Sequence, residues 1–238
     1  MKIALLGYGK MGQEIEKVAL SKGHTIVLKV SSKNAEFKST ELNQADVAIE
    51  FSKPEFAVSN IIKCFEANVP VIVGTTGWYS SFEEVRSMCV SKKQSLVYAT
   101  NFSIGVNLFF KLNQELAKLM NPHKEYKVEA EEIHHTQKLD APSGTAISLA
   151  EQIIAEMDHK NSWVNTESSR EDELSIISRR IDEVPGTHSV YYKSTTDEIE
   201  IKHTAHNRSG FAGGAVLAAE WIVQKESGIY TMKDVLSF

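Results

Sequence analysis

The chain has 238 residues, of which 42% are hydrophobic and 24% are charged, and its formal net charge at pH 7 is −5. These values are ordinary for a soluble globular protein, and the length is enough for one large domain or two smaller ones. A net negative charge gives no general attraction to nucleic acid or to an anionic membrane, so an anionic ligand must be held by locally placed positive groups. No run approaches the roughly 18 apolar residues of a membrane span, and the sequence opens directly on a strand, so we expect a cytoplasmic protein.

Residues 1–102 alternate apolar runs with amphipathic segments, which is the pattern of a parallel sheet covered by helices. Strands are predicted at 2–7, 25–30, 45–51, 69–74 and 95–100. Helices are predicted at 11–23, 54–68 and 80–93. Pro54 suits the first turn of the second helix, and serines precede the third as candidate caps. The two cysteines, Cys64 and Cys89, fall in these two helices, and their spacing supports neither a disulfide framework nor a metal site.

The first strand runs into "GYGKMG" at 7–12, which fits the G-x-G-x-x-G pattern in the required position between a strand and a helix. Gly7 would make the tight turn, Gly9 would let the backbone approach a pyrophosphate, and Gly12 would let helix and strand pack closely. Helix amides would then face the phosphate. The alternative is an ordinary strand-to-helix turn. The predicted cofactor contacts in this loop are Gly7, Tyr8, Gly9, Lys10, Met11 and Gly12.

The end of the second strand lacks the acid that usually accepts hydrogen bonds from the ribose of NAD. The sequence there is "VSSKN" at 30–34. Hydroxyls on Ser31 and Ser32 with the ammonium of Lys33 suit a 2′-phosphate, so we expect NADPH to be accepted at least as well as NADH. The alternative is that Lys33 is a solvated loop lysine.

Two further strand ends, "GTTG" at 74–77 and "ATNF" at 99–102, lie at the carboxyl edge where doubly wound sheets bind ligands. Thr75, Thr76 and Asn101 are expected to satisfy the nicotinamide carboxamide and ribose, with Phe102 against the ring. The predicted cofactor contacts at these ends are Gly74, Thr75, Thr76, Ala99, Thr100, Asn101 and Phe102.

The pattern changes after residue 102. Helices are predicted at 103–120, 145–157 and 213–228. Strands are predicted at 126–133, 173–181, 187–194 and 197–206, the last three antiparallel. Segment 158–172 is polar and is predicted to be a mobile loop. We therefore predict an α/β protein: a Rossmann-type doubly wound parallel sheet in a dinucleotide-binding domain of residues 1–102 with 209–238, and a second α+β domain, residues 103–208, with a mainly antiparallel sheet for substrate binding.

The segment "EEIHHTQKLDAPSGTA" at 131–146 concentrates two histidines, a lysine and an aspartate before a helix start. Amides of Ser143, Gly144 and Thr145 at that start would bind a carboxylate, and Lys138 would add a charge and a proton. Together they indicate a carboxylate site with a nearby acid.

Metal binding is not predicted for this segment or for a second histidine pair. Neighbouring side chains on a strand point to opposite faces, and His134 and His135 have no third ligand at zinc spacing. His203 and His206 are interpreted as exposed polar residues of a strand edge. Arg208 would either contact a substrate carboxylate or brace the two domains.

The 131–146 segment closely resembles the motif of the 4-hydroxy-tetrahydrodipicolinate reductase family, also called dihydrodipicolinate reductases, of bacterial lysine biosynthesis. The resemblance extends over essentially the whole chain, because further family-like segments follow in family order. These are "GYGKMG", "VIVGTTG", "ATNFSIGVN", "VPGTHSV", "IKHTAHNRSGFAGGAV" and "ESGIYTMKDVL".

The resemblance implies reduction of a cyclic imine dicarboxylate by NADPH or NADH, with acid roles for His134 and Lys138. It implies a homotetramer joined through the second domain's sheet, which would also make that domain the oligomerisation domain. Departures are a shortened glycine loop, with Lys10 where an arginine is usual, and the absent acid after strand two. The implied substrate-binding residues are His135, Ser143, Gly144, Thr145 and Thr76.

Two other classes remain open at this stage. A semialdehyde dehydrogenase of similar two-domain layout would need a nucleophilic cysteine in the second domain, and both cysteines lie in the first. A non-catalytic redox sensor that binds NAD(H) and another macromolecule should have a basic recognition element, and none is evident.

Overall fold

The computed structural model describes residues 1–32, 36–207 and 209–238. Its strands are Lys2–Leu6 (β1), Thr25–Val30 (β2), Val47–Glu50 (β3), Val71–Val73 (β4), Ser95–Tyr98 (β5), Lys127–His134 (β6), Ser162–Val164 (β7), Glu173–Arg180 (β8), Thr187–Lys193 (β9), Glu198–Thr204 (β10) and Gly228–Tyr230 (β11). Its α-helices are Lys10–Ser21 (α1), Pro54–Glu66 (α2), Phe82–Ser91 (α3), Ile104–Met120 (α4), Gly144–Glu156 (α5), Ser209–Ile222 (α6) and Met232–Leu236 (α7). Two short 3₁₀ helices cover Ser39–Leu42 and Tyr79–Ser81.

The chain divides into two compact units. Unit 1 comprises Met1–Ile104 and the C-terminal segment that ends at Phe238, and unit 2 comprises Gly105–Asn207. Among the described residues, no helix combines the length and the hydropathy that a bilayer crossing requires.

Unit 1 is built on a six-stranded sheet in the order β11-β5-β4-β3-β1-β2, and every neighbouring pair is parallel. Because successive strand residues point to opposite faces, Leu5 and Leu6 of β1 enter two different apolar clusters. The Leu5 cluster packs under α1 and α6, and the Leu6 cluster packs under α2 and α3. This is the predicted doubly wound sheet with helices on both faces.

Unit 2 contains a five-stranded sheet in the order β10-β9-β6-β8-β7. Strand β9 pairs antiparallel with β6 and β10, whereas β8 pairs parallel with β6 and β7. The sheet is therefore mixed, and the expectation of a mainly antiparallel sheet was wrong for β8. Alternation along a strand shows which face is buried, but it contains no information about the direction of the partner strand.

The polar segment 158–172 also differs from its prediction. It contains β7, and Trp163 of that strand packs against the apolar cluster of unit 2. The Asn161 amide donates to the Asp172 carbonyl at 2.9 Å, which ties the segment to the start of β8. A strand of three residues at a sheet edge is too short to show a periodic pattern, so the polar residues around it made the whole segment look like a loop.

Two smaller corrections concern helix ends. Ser81 is the N-cap residue of α3, but its side chain makes no capping hydrogen bond, because a 3₁₀ turn leads directly into the helix. Helix α6 begins before the predicted position 213 and ends at Ile222, and β11 and α7 follow it without having been predicted. Pro54 does lie in the first turn of α2, as the sequence indicated.

Candidate active site

The glycine loop has the geometry that its sequence predicts. Gly7 has φ +106°, and a Cβ atom there would lie 2.1 Å from the Phe51 carbonyl oxygen. A Cβ atom at Gly12 would lie 2.2 Å from the Gly7 carbonyl oxygen, whereas one at Gly9 would meet nothing within 4 Å. The first turn of α1 contains no acidic residue. The loop is therefore closed towards the sheet and open beside Gly9, which suits the approach of a phosphate group to the helix start.

Two charged residues beside this loop were missed by the sequence analysis. The Tyr8 hydroxyl donates to Glu16, and Lys29 forms an ion pair with the same carboxylate at 2.5 Å. The Lys29 ammonium also lies 4.8 Å from the centre of the Tyr8 ring. Hydrogen bonds from Lys29 and Tyr8 hold the pKa of Glu16 below its ordinary value. Ser32 is exposed, and Lys33 lies outside the described residues, as does Arg208.

At the ends of β4 and β5, some of the predicted cofactor contacts are exposed and others are buried. Thr76 and Thr100 are exposed, but Thr75 is 6% exposed and its hydroxyl accepts the Ser52 amide at 2.8 Å. Phe102 is 1% exposed, so its ring lies in the core and the expected stacking against nicotinamide is contradicted. The partly exposed ring is Phe51, at the end of β3, which covers Gly74 closely enough to exclude a Cβ atom there.

The remaining predicted cofactor contacts lie at the same strand ends and in the glycine loop, and they differ in exposure. Asn101 accepts the Ser103 amide at 2.8 Å through its side-chain oxygen. Lys10 is exposed at the start of α1, whereas Met11 and Ala99 are half-buried and pack against the core. These contacts remain predictions.

A separate candidate cluster in unit 2 begins at the end of β6, where the buried face changes from apolar to ionisable. Val128 and Ala130 belong to the apolar cluster, and the next two residues on the same face are Glu132 and His134. Glu132 is 0% exposed and forms an ion pair with Nδ1 of His134. His135 follows the strand, and its Nδ1 is buried without a hydrogen-bond partner among the residues that the structure describes.

Lys138 lies in the loop after β6. Its ammonium contacts both carboxylate oxygens of Asp140, at 2.7 and 2.8 Å. This lysine lowers the pKa of Asp140, so the aspartate keeps its negative charge and holds the ammonium in place. Arg180, at the end of β8, donates to the Lys138 carbonyl at 3.3 Å and to the Asp140 carbonyl at 2.6 Å. The loop is thus fixed through its backbone, and Arg180 was not predicted as part of the site.

Helix α5 begins at Gly144, and Ser143 is its N-cap residue. The Ser143 hydroxyl accepts the Ala146 amide at 3.3 Å, and the Ser143 amide donates to Glu132 at 3.3 Å. Gly144 is exposed, and a Cβ atom there would meet nothing within 4 Å. The first turn contains no acidic residue. The amides of Gly144 and Thr145 are therefore the better candidates for a carboxylate contact, while Ser143 shapes the turn.

His188, at the start of β9, completes this group and was also missed. It lies directly opposite Glu132 in the sheet, its Nε2 lies 3.1 Å from the Ser143 hydroxyl, and its ring meets that of His134 edge-on at 5.0 Å. Burial and the nearby His134 lower the pKa of His188 to about 3. His188 is therefore neutral in the folded protein at ordinary pH.

The potential metal-ligand atoms of Glu132, His134 and His188 lie within 4.8 Å of one another. The fold therefore brings together three possible metal ligands, which the sequence spacing did not indicate. However, the Arg180 guanidinium donates to Glu132 at 3.0 Å. A fixed positive charge at that distance opposes a cation, and the existing contacts favour a hydrogen-bonded network. Of the other histidine pair, His206 is exposed and His203 is half-buried, stacked on Phe109 at 6.0 Å.

The neutral state of His188 predicts that the folded protein loses stability at acidic pH. Below its ordinary pKa of 6.5 the unfolded chain takes up a proton that the folded protein refuses, so stability falls as pH drops from 6.5 towards 3. His188→Gln removes this contribution, which is at most about 1.4 kcal/mol per pH unit. Urea unfolding at pH 7, 6 and 5 should show a shallower decline for His188→Gln than for the wild type. The exposed His123→Gln variant should retain the wild-type slope, and identical slopes in all three proteins would contradict the assignment.

Comparison with known proteins matches the whole chain to one family. Residues 1–102 match the family described as "Dihydrodipicolinate reductase, N-terminus", and residues 105–236 match "Dihydrodipicolinate reductase, C-terminus". A curated relative from Christiangramia forsetii, named 4-hydroxy-tetrahydrodipicolinate reductase, is 50% identical over 239 residues, which cover 100% of this chain and 98% of that protein. The chain belongs to the dihydrodipicolinate reductase family. The resemblance recognised in the sequence motifs is therefore confirmed.

Solved structures agree on the fold of this reductase-family chain. The dipicolinate-bound dihydrodipicolinate reductase from Paenisporosarcina sp. TG-14 has a TM-score of 0.78 at 23% identity, covering 97% of each chain. Aspartate semialdehyde dehydrogenase II from Vibrio cholerae has a TM-score of 0.51 at 11% identity, covering 94% of this chain and 98% of its own. At such identities the likeness establishes a shared fold alone.

Proposed function

We propose that the chain catalyses the NAD(P)H-dependent reduction of 4-hydroxy-tetrahydrodipicolinate, or of the dihydrodipicolinate formed from it by water loss, to tetrahydrodipicolinate. This reaction belongs to lysine and diaminopimelate biosynthesis. The family membership and the name of the 50% identical relative support the proposal. The observation that carries the proposal is that three features lie in one connected network: His134, the Lys138 loop and the start of α5. Glu132 contacts His134, Arg180 and the Ser143 amide, and Arg180 also binds the Lys138 carbonyl.

The residues of unit 2 fit the chemistry of such a substrate. When bound, NAD(P)H supplies a hydride to the conjugated imine. Lys138 or His134 then supplies the proton that quenches the negative charge left behind, a step typically worth about 10²- to 10⁴-fold in rate. One substrate carboxylate is bound by the amides of Gly144 and Thr145, and Nδ1 of His135, which has no hydrogen-bond partner among the described residues, serves as a further contact.

The residues of unit 1 fit a dinucleotide. The open side of Gly9 and the acid-free first turn of α1 suit a pyrophosphate. The absence of an acid after β2 and the presence of Ser32 support use of NADPH as well as NADH. The partly exposed Phe51 ring, with Thr76 and Thr100, replaces Phe102 as the proposed lining at the ends of β3, β4 and β5.

Burial of both cysteines disfavours the semialdehyde dehydrogenase alternative. Cys64 and Cys89 lie in α2 and α3 of unit 1, and each is at most 1% exposed. Burial raises the pKa of Cys89 to about 11 and raises that of Cys64 further. A catalytic thiol needs the opposite, a lowered pKa and access to substrate.

The proposed cellular context is a homotetramer in the cytoplasm, joined through the sheet of unit 2, with no nucleic-acid or membrane partner. Light scattering on the purified protein tests the assembly, with a mass of about four times the 26.5 kDa chain expected.

The test of the activity is a coupled assay with freshly formed imine substrate, in which NADH and NADPH oxidation are followed in parallel. We expect absorbance loss only when the substrate-forming enzyme is present, and we expect it with both cofactors. A reaction mixture that contains aspartate semialdehyde, inorganic phosphate and NADP⁺ instead should give no cofactor reduction. The absence of NAD(P)H oxidation with fresh substrate would contradict the proposal.

A further inference from the structure

Glu132 is a buried carboxylate whose presence the proposed reaction does not by itself explain. It occupies a position on β6 that follows Val128 and Ala130 along the apolar face, and it is 0% exposed. Burying a carboxylate is costly unless it is paired and hydrogen-bonded. An apolar residue such as leucine would simply extend the core at this position. The role of the carboxylate must therefore be sought in the groups that it contacts.

Each oxygen of Glu132 has a separate partner. Oε1 accepts Nη2 of Arg180 at 3.0 Å and the Ser143 amide at 3.3 Å, and Oε2 contacts Nδ1 of His134. Burial opposes the charge on this carboxyl group, but hydrogen bonds from His134 and Arg180, among others, outweigh it and lower its pKa to about 2. Neither Oε2 of Glu132 nor Nδ1 of His134 has a hydrogen-bond partner elsewhere among the described residues, and an ionised carboxylate only accepts, so Nδ1 is the atom that would provide the hydrogen in this ion pair. When the His134 ring is protonated to the imidazolium, the proton that it can transfer is therefore the one on Nε2, and the ring returns to the neutral form with its hydrogen on Nδ1.

The other edge of the His134 ring, in a residue that is 8% exposed, faces a glycine. A Cβ atom at Gly186 would lie 3.0 Å from Nε2 of His134. The ring of His188 meets His134 edge-on at 5.0 Å and is neutral, so it fixes the ring plane without adding a competing charge. His134 is thus held at Nδ1 and along its side while Nε2 faces a residue without a side chain.

Arg180 connects this histidine to the second proton carrier. The same guanidinium that binds Glu132 donates through Nε to the Lys138 carbonyl at 3.3 Å and through Nη2 to the Asp140 carbonyl at 2.6 Å. The carboxylate behind His134 and the backbone of the Lys138 loop are therefore joined by one planar, multidentate group. A lysine ammonium at position 180 lacks that fork.

We propose that Glu132 and Arg180 are positioning residues of the reductase: Glu132 fixes the His134 ring with its transferable proton on Nε2, and Arg180 sets the Lys138 loop against the same carboxylate. This inference rests on the proposed function. Neither residue touches the reacting atoms, and both act through His134 and Lys138.

The neighbouring pair Glu131 and Arg179 offers a matched control. It lies on the same two strands, one residue earlier in each, and its ion pair measures 2.7 Å. Because successive strand residues point to opposite faces, this pair lies on the other side of the sheet from Glu132. Arg179 is more than half exposed.

The experiment measures kcat, the KM for imine substrate, and cofactor Kd for Glu132→Gln, Arg180→Lys and the controls Glu131→Gln and Arg179→Lys. We expect Glu132→Gln to lower kcat by about 10- to 100-fold and Arg180→Lys by about tenfold, since small misplacements of catalytic groups have effects of this size. Cofactor Kd should not change, and both controls should stay within about twofold of the wild type. Should Glu132→Gln not fold, Arg180→Lys decides, since it keeps the partly buried positive charge at this position.

A double-mutant cycle separates positioning from general structural support. If Glu132 acts through His134, then Glu132→Gln should reduce kcat little further in a His134→Gln background. An equal reduction in both backgrounds, or wild-type kcat in folded Glu132→Gln or Arg180→Lys, would overturn the proposal. An inactive wild-type protein would instead refute the proposed function, so the two failures are distinguishable.

Discussion

Lys138→Ala should lower kcat by about 10²- to 10⁴-fold, the usual contribution of a positioned general acid, while NADH and NADPH still bind. The Lys138 side chain is 23% exposed, and its ammonium is held by both oxygens of Asp140. It is therefore a partly buried, oriented ammonium group rather than a freely solvated one, as the proposed proton donor requires. Removing it leaves the negative charge formed by hydride addition without this acid.

The variant should keep the loop in place, which makes the kinetic effect interpretable. Arg180 binds the backbone carbonyl of Lys138 and not its side chain, so alanine leaves those hydrogen bonds intact. The released Asp140 has a side chain that is 60% exposed, and water can solvate it. We therefore expect a folded protein whose urea midpoint is close to that of the wild type.

The measurement is steady-state kcat with fresh substrate, together with cofactor Kd by fluorescence titration. Lys124→Ala, at an exposed turn residue of the same unit, is the control and should retain wild-type kcat. His134→Gln should also lower kcat with cofactor binding preserved. Wild-type kcat in Lys138→Ala would remove this lysine as a proton donor and leave His134 as the remaining candidate.

The sequence predicts those parts of the fold that depend on local pattern. The bounds of β2 coincide with the predicted 25–30, and His134 lies one residue past the predicted end of its strand. The direction of β8 and the existence of β7 escaped prediction, because strand pairing is decided by partners distant in the chain. Three residues of β7 contain too little alternation to be distinguished from a polar loop.

The same limit explains which candidate site residues could be proposed from the sequence. His134, Lys138 and Ser143 stand close together in the sequence, so their chemistry was readable there. Arg180 lies 48 residues from Glu132, and only the parallel pairing of β6 with β8 brings them to 3.0 Å. Glu132 itself lies in a run of glutamates and looks like a solvated residue until the register places it on the apolar face.

Phe102 shows a different limit of the sequence. Its place at the end of a strand could be predicted, but the burial of its ring could not. It follows β5 at the carboxyl edge, but its ring packs at 5.8 Å from that of Phe51 and its carbonyl lies under Gly214. A Cβ atom at Gly214 would come within 1.7 Å of that carbonyl oxygen. The close approach of α6 therefore buries the ring, and no local pattern around residue 102 reveals it.

Gly9→Ala should weaken NADPH and NADH binding by about tenfold or more, equivalent to about 1.4 kcal/mol or more, without damaging the fold. Gly9 has φ −91°, which alanine adopts without strain, and an added Cβ atom would meet no protein atom within 4 Å. Among the described residues no group lies in the path of the new methyl, so we expect it to obstruct a ligand that approaches the start of α1. As an N-cap residue, alanine in place of glycine should change stability by no more than about 1 kcal/mol.

Gly12→Ala makes the contrasting case in the same loop. Its Cβ atom would lie 2.2 Å from the Gly7 carbonyl oxygen, a backbone atom that cannot rotate away. Helix α1 must then shift against β1, and overpacking of this kind typically costs about 1–3 kcal/mol, which should appear as a lower urea midpoint.

Gly213→Ala, in α6 with no atom of the described residues within 4 Å of the added Cβ, serves as the control for alanine at an open glycine. It should leave cofactor Kd unchanged and slightly raise stability, since alanine is favoured over glycine within helices.

Cofactor Kd and the urea midpoint, measured together on the three variants, separate binding from folding. The expected pattern is weaker binding with a normal midpoint for Gly9→Ala, a lowered midpoint for Gly12→Ala, and neither defect for Gly213→Ala. Wild-type Kd in Gly9→Ala would mean that no pyrophosphate approaches the loop at this point, and the proposed dinucleotide site would have to move elsewhere in unit 1. Because the open space beside Gly9 is an observation about protein atoms alone, this result would test the cofactor proposal independently of the imine substrate and of either proton donor.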